Sequence, residues 1–123
     1  MKKSSASLKK SLKDILEKRA GLIEQLIASG PVVIGNVYDV MRRCGNPHCH
    51  CAEKPGHRQT LLIYTRNGHR HCKLVRRKDE ERVKLAWQNY RAFRKALRQI
   101  RALNQRELSI LRADIINRGF CYR

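Results

Sequence analysis

Thr60-Leu61-Leu62-Ile63-Tyr64-Thr65-Arg66-Asn67-Gly68-His69-Arg70-His71-Cys72-Lys73-Leu74-Val75 is the stretch whose reading decides the fold. Asn67-Gly68 is the pair best suited to a two-residue type I′ turn, where both central residues take positive φ. The flanking runs are rich in β-branched and aromatic residues, so the stretch reads as a hairpin. A tight turn at that pair sets the register: Ile63 faces Cys72, Leu61 faces Leu74 and Thr65 faces Arg70. The other face then carries Leu62, Tyr64, Arg66, His69, His71 and Lys73. Cys72 falls on the more apolar face, where a buried free thiol is the expectation.

Before the hairpin, Val32-Val33-Ile34-Gly35-Asn36-Val37-Tyr38-Asp39-Val40-Met41 has the composition of another strand. Further back, Leu8, Leu12, Ile15, Leu16, Leu22, Ile23, Leu26 and Ile27 recur at steps of three and four. That spacing predicts an amphipathic helix from Ser7 to about Ser29. Ser29-Gly30-Pro31 ends it, with Gly30 expected as a left-handed cap. After the hairpin, residues 79–117 contain no Gly or Pro, and Asp79-Glu80-Glu81 place negative charge at a helix start. A helix of that extent is roughly 58 Å long. Val83, Trp87, Tyr90, Leu97, Asn104, Leu108, Leu111 and Ile115 mark its expected apolar stripe, widened by Phe93 and Ile100. A rod this long needs the N-terminal helix, a second copy of the chain, or both, as partner.

The expected fold is therefore α+β: an N-terminal helix, a small antiparallel sheet carrying a Cys/His knuckle, and a long coiled-coil-like C-terminal helix. The chain divides into a Lys-rich tail and amphipathic helix (1–30), a hairpin and knuckle region (31–78) and a long basic helix (79–123), forming one structural domain.

The 123 residues carry 28 Lys plus Arg against 10 Asp plus Glu, a formal charge of +18. Such an excess repels itself unless a polyanion neutralises it, and is the electrostatic footprint of a nucleic-acid binder. Six Lys lie in the first 18 residues, whereas sixteen Arg lie from Arg42 onward, which separates a loosely attracting start from an Arg-rich body. Arg presents a planar fork suited to phosphates. On the long helix Arg77, Lys84, Arg91, Arg98 and Arg112 recur by sevens, with Arg94 and Arg101 in a parallel row joined by Lys95. From Arg82 to Arg106 there is no acid. Together with Arg42, Arg43, Arg70 and Arg76, the residues Arg77, Lys84, Arg91, Arg94, Lys95, Arg98 and Arg101 are the candidate nucleic-acid contacts. Tyr38, Tyr64 and Tyr90 can stack on bases, although each sits on an element where core packing is the simpler use.

Arg43-Cys44-Gly45-Asn46-Pro47-His48-Cys49-His50-Cys51, followed by His57, gathers three thiols within eight residues. Zinc takes four thiolate or imidazole ligands at tetrahedral corners. Cys44, Cys49 and Cys51 are the candidate first three, and Pro55-Gly56 can turn His57 back as the fourth. His48, His50 and Cys72 compete for that place, while Cys121 lies apart. Structural zinc is thus the expected cofactor. A catalytic cysteine would need an orienting acid and an oxyanion site, and two-metal hydrolysis needs several convergent acids. Carboxylates are scarce in the middle of the chain, so no enzyme and no small-molecule substrate are expected. Lys2 and Lys3 have no apolar run behind them and no segment reaches 18 apolar residues. That speaks against a secretory signal or a bilayer span, and a cytoplasmic location without membrane partners is the expectation.

Gly35-Asn36-Val37-Tyr38, Arg43-Cys44-Gly45, Cys49-His50-Cys51, His57, the Asn67-Gly68 hairpin and the Tyr-Arg-x-Phe run ending at Phe93 together resemble a family. It comprises small bacterial and archaeal proteins grouped as a domain of unknown function. The likeness spans about residues 31–106. It implies an accessory role linked to mobile elements. The resulting expectation is a non-catalytic nucleic-acid-binding protein, forming a homodimer or serving as a subunit of a nucleoprotein complex. The alternative is a coiled-coil adaptor within such a complex.

Overall fold

The computed structural model describes residues 5–43, 45–50, 53–54 and 56–122. Helix α1 (Ser5–Ala28) precedes strands β1 (Asn36–Arg42), β2 (His57–Arg66) and β3 (His69–Val75). A single 3-10 turn, Arg77–Asp79, then leads into α2 (Glu80–Arg118), which is 39 residues long. The architecture is α+β, and the strands form one antiparallel sheet in the order β1-β2-β3.

Asn67 and Gly68 turn the hairpin with φ of 53° and 79°, the two positive values a type I′ turn requires. The register follows: Ile63 pairs with Cys72, Leu61 with Leu74 and Thr65 with Arg70. Cys72 is nevertheless exposed, not buried. The reason is the choice of covered face. Side chains of α2 bond to Asp39 and Thr60, which share the face of Val37 and Leu62. The face carrying Cys72 and Leu74 is open at β3, although Leu61, paired with Leu74 on it, is buried.

The first strand begins at Asn36 instead of Val32. The Val33 amide donates to the Ala86 carbonyl of α2 (3.1 Å), and Asn89 Nδ2 donates to the Pro31 carbonyl (3.0 Å). These helix contacts draw the 31–34 segment away from the sheet, and Gly35, at φ 130°, redirects the chain into β1. Helix α1 ends as expected in place but not in manner. Gly30 avoids the left-handed region, and the Ser29 hydroxyl instead donates to the Leu26 carbonyl at 2.8 Å.

The chain forms two compact units, residues 30–91 and residues 1–29 with 92–123, with α2 contributing to both. In the first, Val37, Thr60, Leu61 and Ala86 are buried. In the second, α1 and the later turns of α2 lie antiparallel. One surface hollow joins Leu8 and Leu12 to Ile110 and Asp114, and another joins Leu22 and Gln25 to Gln99 and Leu103. Leu8, Ile15 and Ala96 are its buried residues, and Arg19 reaches Glu107 at 2.9 Å within it. From Phe93 onward the packed row of α2 is Phe93, Ala96, Ile100, Leu103, Glu107 and Ile110. The expected stripe through Leu97, Leu108, Leu111 and Ile115 lies one residue further round the helix and is exposed.

Candidate nucleic-acid interface

Five polar side chains meet where α2 begins against the sheet. Thr60 is fully buried, and its hydroxyl lies 2.7 Å from Asp39 Oδ1 and 3.1 Å from Glu80 Oε1. One hydroxyl hydrogen serves one carboxylate at a time, and the shorter distance assigns it to Asp39. Glu80 is held mainly by Arg58, whose Nη2 donates to Oε2 at 3.0 Å, while Arg58 Nη1 reaches Thr60 Oγ1 at 3.2 Å. Lys84 Nζ donates to Asp39 Oδ2 at 2.9 Å. The Thr60 hydroxyl and Lys84 hold the Asp39 carboxyl below its ordinary value, and Arg58 does the same for Glu80. Glu80 in turn raises the Arg58 guanidinium. Lys84 is therefore occupied with a carboxylate of its own chain.

The sheet register brings other cations to this end of the molecule's 30–91 unit. Arg42 pairs with His57 at the end of β1, and Val75 at the end of β3 pairs with Thr60. Arg76 and Arg77 follow directly and line a surface hollow with His57, Arg58, Gln59 and Glu80. Arg42 and Arg76, 34 positions apart in the chain, thus arrive at one sheet end. Arg43 Nη2 donates to the Glu53 carbonyl at 2.9 Å. Arg70 belongs to the opposite end, five register pairs from Val75. Arg91 lies over the Trp87 ring, 5.0 Å from its centroid, and the indole N–H donates to the Gly35 carbonyl at 2.9 Å. Arg94, Lys95, Arg98 and Arg101 are exposed on α2 in the other unit.

The tyrosines divide by environment. Tyr64 stacks on His71 across the strand pair (ring centroids 5.0 Å apart), with Lys73 Nζ over its ring. Tyr38, on the open face of the sheet with Arg42, is 50% exposed. Sequence reasoning passed over Arg58, which joins Glu80 to the buried Thr60. Its alternation with Thr60 on one strand was the available signal.

In the knuckle, Cys49 Sγ lies 3.1 Å from His57 Nε2 and 3.7 Å from His50 Nδ1. The edge of a tetrahedral zinc site between sulfur and nitrogen is about 3.5 Å, from bond lengths near 2.3 and 2.0 Å. Both imidazoles therefore sit at a distance from the thiol that an ion could bridge, and their rings are 5.3 Å apart. Among the described residues no group of three His, Cys, Asp or Glu side chains is placed to hold a metal ion. Cys44 and Cys51 lie outside the described residues. Among the described residues no helix is long and apolar enough to cross a membrane.

The family model described as Domain of unknown function (DUF6788) matches residues 8–85, more than half of the chain, and the protein belongs to that family. The match takes in α1 and ends early in α2, before Tyr90 and Phe93. No curated protein and no solved structure matches the chain.

Proposed function

We propose that this DUF6788 chain is a non-catalytic accessory protein that grips the phosphate backbone of a nucleic acid. One observation carries the reading. At the sheet end three acids are already engaged, Asp39 with Thr60 and Lys84, Glu80 with Arg58 and Asp79 with Arg82, while Glu81 is exposed on the first turn of α2. Among the described residues no ion pair takes Arg42, Arg76 or Arg77. Three guanidiniums at one sheet end, outside the ion pairs of the fold, are suited to phosphate oxygens. Tyr38, half exposed on the same face as Arg42, supplies a ring on which a base can stack. Arg43, Arg70, Arg91, Arg94, Lys95, Arg98 and Arg101 extend the basic surface as further contacts, whereas Lys84 acts within the fold. The link to mobile elements rests on the family resemblance.

Fluorescence anisotropy with labelled 20-mer DNA and RNA, duplex and single-stranded, tests the proposal. Arg42→Glu combined with Arg76→Glu and Arg77→Glu should weaken binding at least about 10-fold. Each lost phosphate contact should also flatten the dependence of log K on log salt by about one unit. Affinity that ignores both the substitutions and the salt would overturn it.

A structural zinc ion held by Cys44, Cys49, Cys51 and His57 belongs to the same proposal, with His50 as competitor for the imidazole position. Its chemistry would be cross-linking the knuckle to the first residue of β2. Elemental analysis should find about one zinc per chain, lost in Cys49→Ser. His57→Ala and His50→Ala identify the nitrogen ligand by which of them releases the metal.

A further inference from the structure

The helical unit of residues 1–29 and 92–123 exposes a second apolar row on each helix. On α1 it runs through Leu16, Ile23 and Ile27, which are 55%, 41% and 80% exposed. On α2 it runs through Leu108, Leu111 and Ile115, at 50%, 41% and 65%. Each of these residues directly follows a member of the packed row. Leu16 follows Ile15, Ile23 follows Leu22, Ile27 follows Leu26, Leu108 follows Glu107, and Leu111 follows Ile110.

The two surface hollows show which flank these residues occupy. One is lined by residues that follow packed positions on both helices, namely Lys9, Leu111 and Arg118. The other is lined by residues that precede them, Gly21, Gln99, Ala102 and Arg106 among these. In an antiparallel helix pair, positions just after the packed row share one flank and positions just before it share the other. Both exposed rows therefore open on the same side and make one face across α1 and α2, apolar at these six positions and edged towards its ends by Lys9, Lys13, Arg94 and Arg101 in the same rows.

The margins of that face carry opposite charges. Two residues beyond packed positions of α1 stand Asp14, Glu17 and Glu24, with Lys10 at the first turns, while the equivalent margin of α2 carries Lys95, Arg98 and Arg112. We propose that a second copy of this chain docks on this face about a twofold axis parallel to the helices, making a four-helix bundle. That axis lays each α1 over the partner's α2, antiparallel, and sets the acidic margin of one copy against the basic margin of the other. Gln25 and Gln99 line one hollow, so Glu24 is about 3 Å in height from Arg98 and, across the axis, from the partner's Arg98. On the same count Asp14, not Glu17, comes within about 3 Å of the height of the partner's Arg112, at about 1.5 Å per residue. A twofold axis perpendicular to the helices would instead set Arg98 and Arg112 against themselves. Asn104 lies in the middle of the α2 row, and a lone Asn in such a seam fixes register at some cost in stability. The inference rests on the helical unit and not on the cations at the sheet end; it takes Arg98 into the dimer and out of the phosphate contacts.

Nuclease-treated protein at ~150 mM salt, near one Debye length of 8 Å, keeps such charge pairs measurable. Light scattering after size exclusion should give twice the 14.4 kDa chain mass. Leu108→Glu should give the single-chain mass with far-UV helicity retained. Glu24→Arg and Arg98→Glu should each raise the dissociation constant about 10-fold or more, and the combined E24R/R98E chain should recover most of that loss. A wild-type chain that stays single at tens of micromolar overturns the proposal. So does a dimer indifferent to Leu108→Glu, or a charge swap no tighter than its single variants. A single chain that captures an acidic amphipathic helix on this face would likewise replace the second copy as occupant.

Discussion

Gly35 holds φ at 130°, and a Cβ there would meet the Ile63 carbonyl oxygen at 2.5 Å. Its own carbonyl accepts the Trp87 indole, so this one residue joins the start of β1 to β2 and to α2. Gly35→Ala should cost ~1–3 kcal/mol in urea unfolding, because backbone and not a flexible side chain would have to yield. Thr60→Val keeps the volume but removes the donor from Asp39, with an expected cost of ~1–3 kcal/mol. The acid limb of stability follows from the same residues. Asp39 and Glu80 titrate below their ordinary values, so their contribution is complete at neutral pH and is lost as pH falls through the lowered values. Asp39→Asn should flatten that fall in a pH series of unfolding midpoints. An unchanged acid limb would show that the carboxylate does not contribute to it.

At the scale of elements, the hairpin was legible because turn chemistry is local: Asn67-Gly68 set every pair from Thr60–Val75 to Arg66–His69. The long helix was legible in extent, from the absence of Gly and Pro over residues 79–117; beyond its end the Gly119 amide returns to the Ile115 carbonyl at 2.9 Å. Its packed row was not. Two apolar rows of the same spacing lie side by side on α2, and the one with the larger residues, Leu97, Leu108, Leu111 and Ile115, is the exposed one. The packed row contains Ala96 and Glu107, which are poor hydrophobic signals. Ala96 is small enough for burial at a close approach, and Glu107 is retained there by its ion pair with Arg19. Periodicity counts large apolar residues and cannot tell a row covered within the chain from one left open. The assignment makes a contrast testable by chemical unfolding. Ile15→Ala, at a residue 1% exposed, should cost ~2–5 kcal/mol, whereas Ile116→Ala, 77% exposed on another face, should stay within about 0.5 kcal/mol.

Over the whole molecule, the charge of +18 sets the strongest physical expectation. Binding to duplex DNA through phosphates should follow a log–log salt slope of about −0.9 per contact, measured by titration at several salt concentrations. Most of the acidic groups near the sheet are absorbed into the fold, which concentrates that expectation on particular cations instead of the bulk excess. The amino-acid sequence alone determined the α+β class, the hairpin register, the two helices and the sign of the charge. Each of these depends on local turn chemistry, periodicity or a sum over residues. The tertiary structure decided which sheet face α2 covers, and with it that Cys72 and Tyr38 are exposed. It also decided that Lys84 pairs with Asp39 and that Arg42 arrives at the same sheet end as Arg76 and Arg77. Those outcomes depend on contacts between residues tens of positions apart, and the relative stability of the competing faces and partners is settled only when the elements pack.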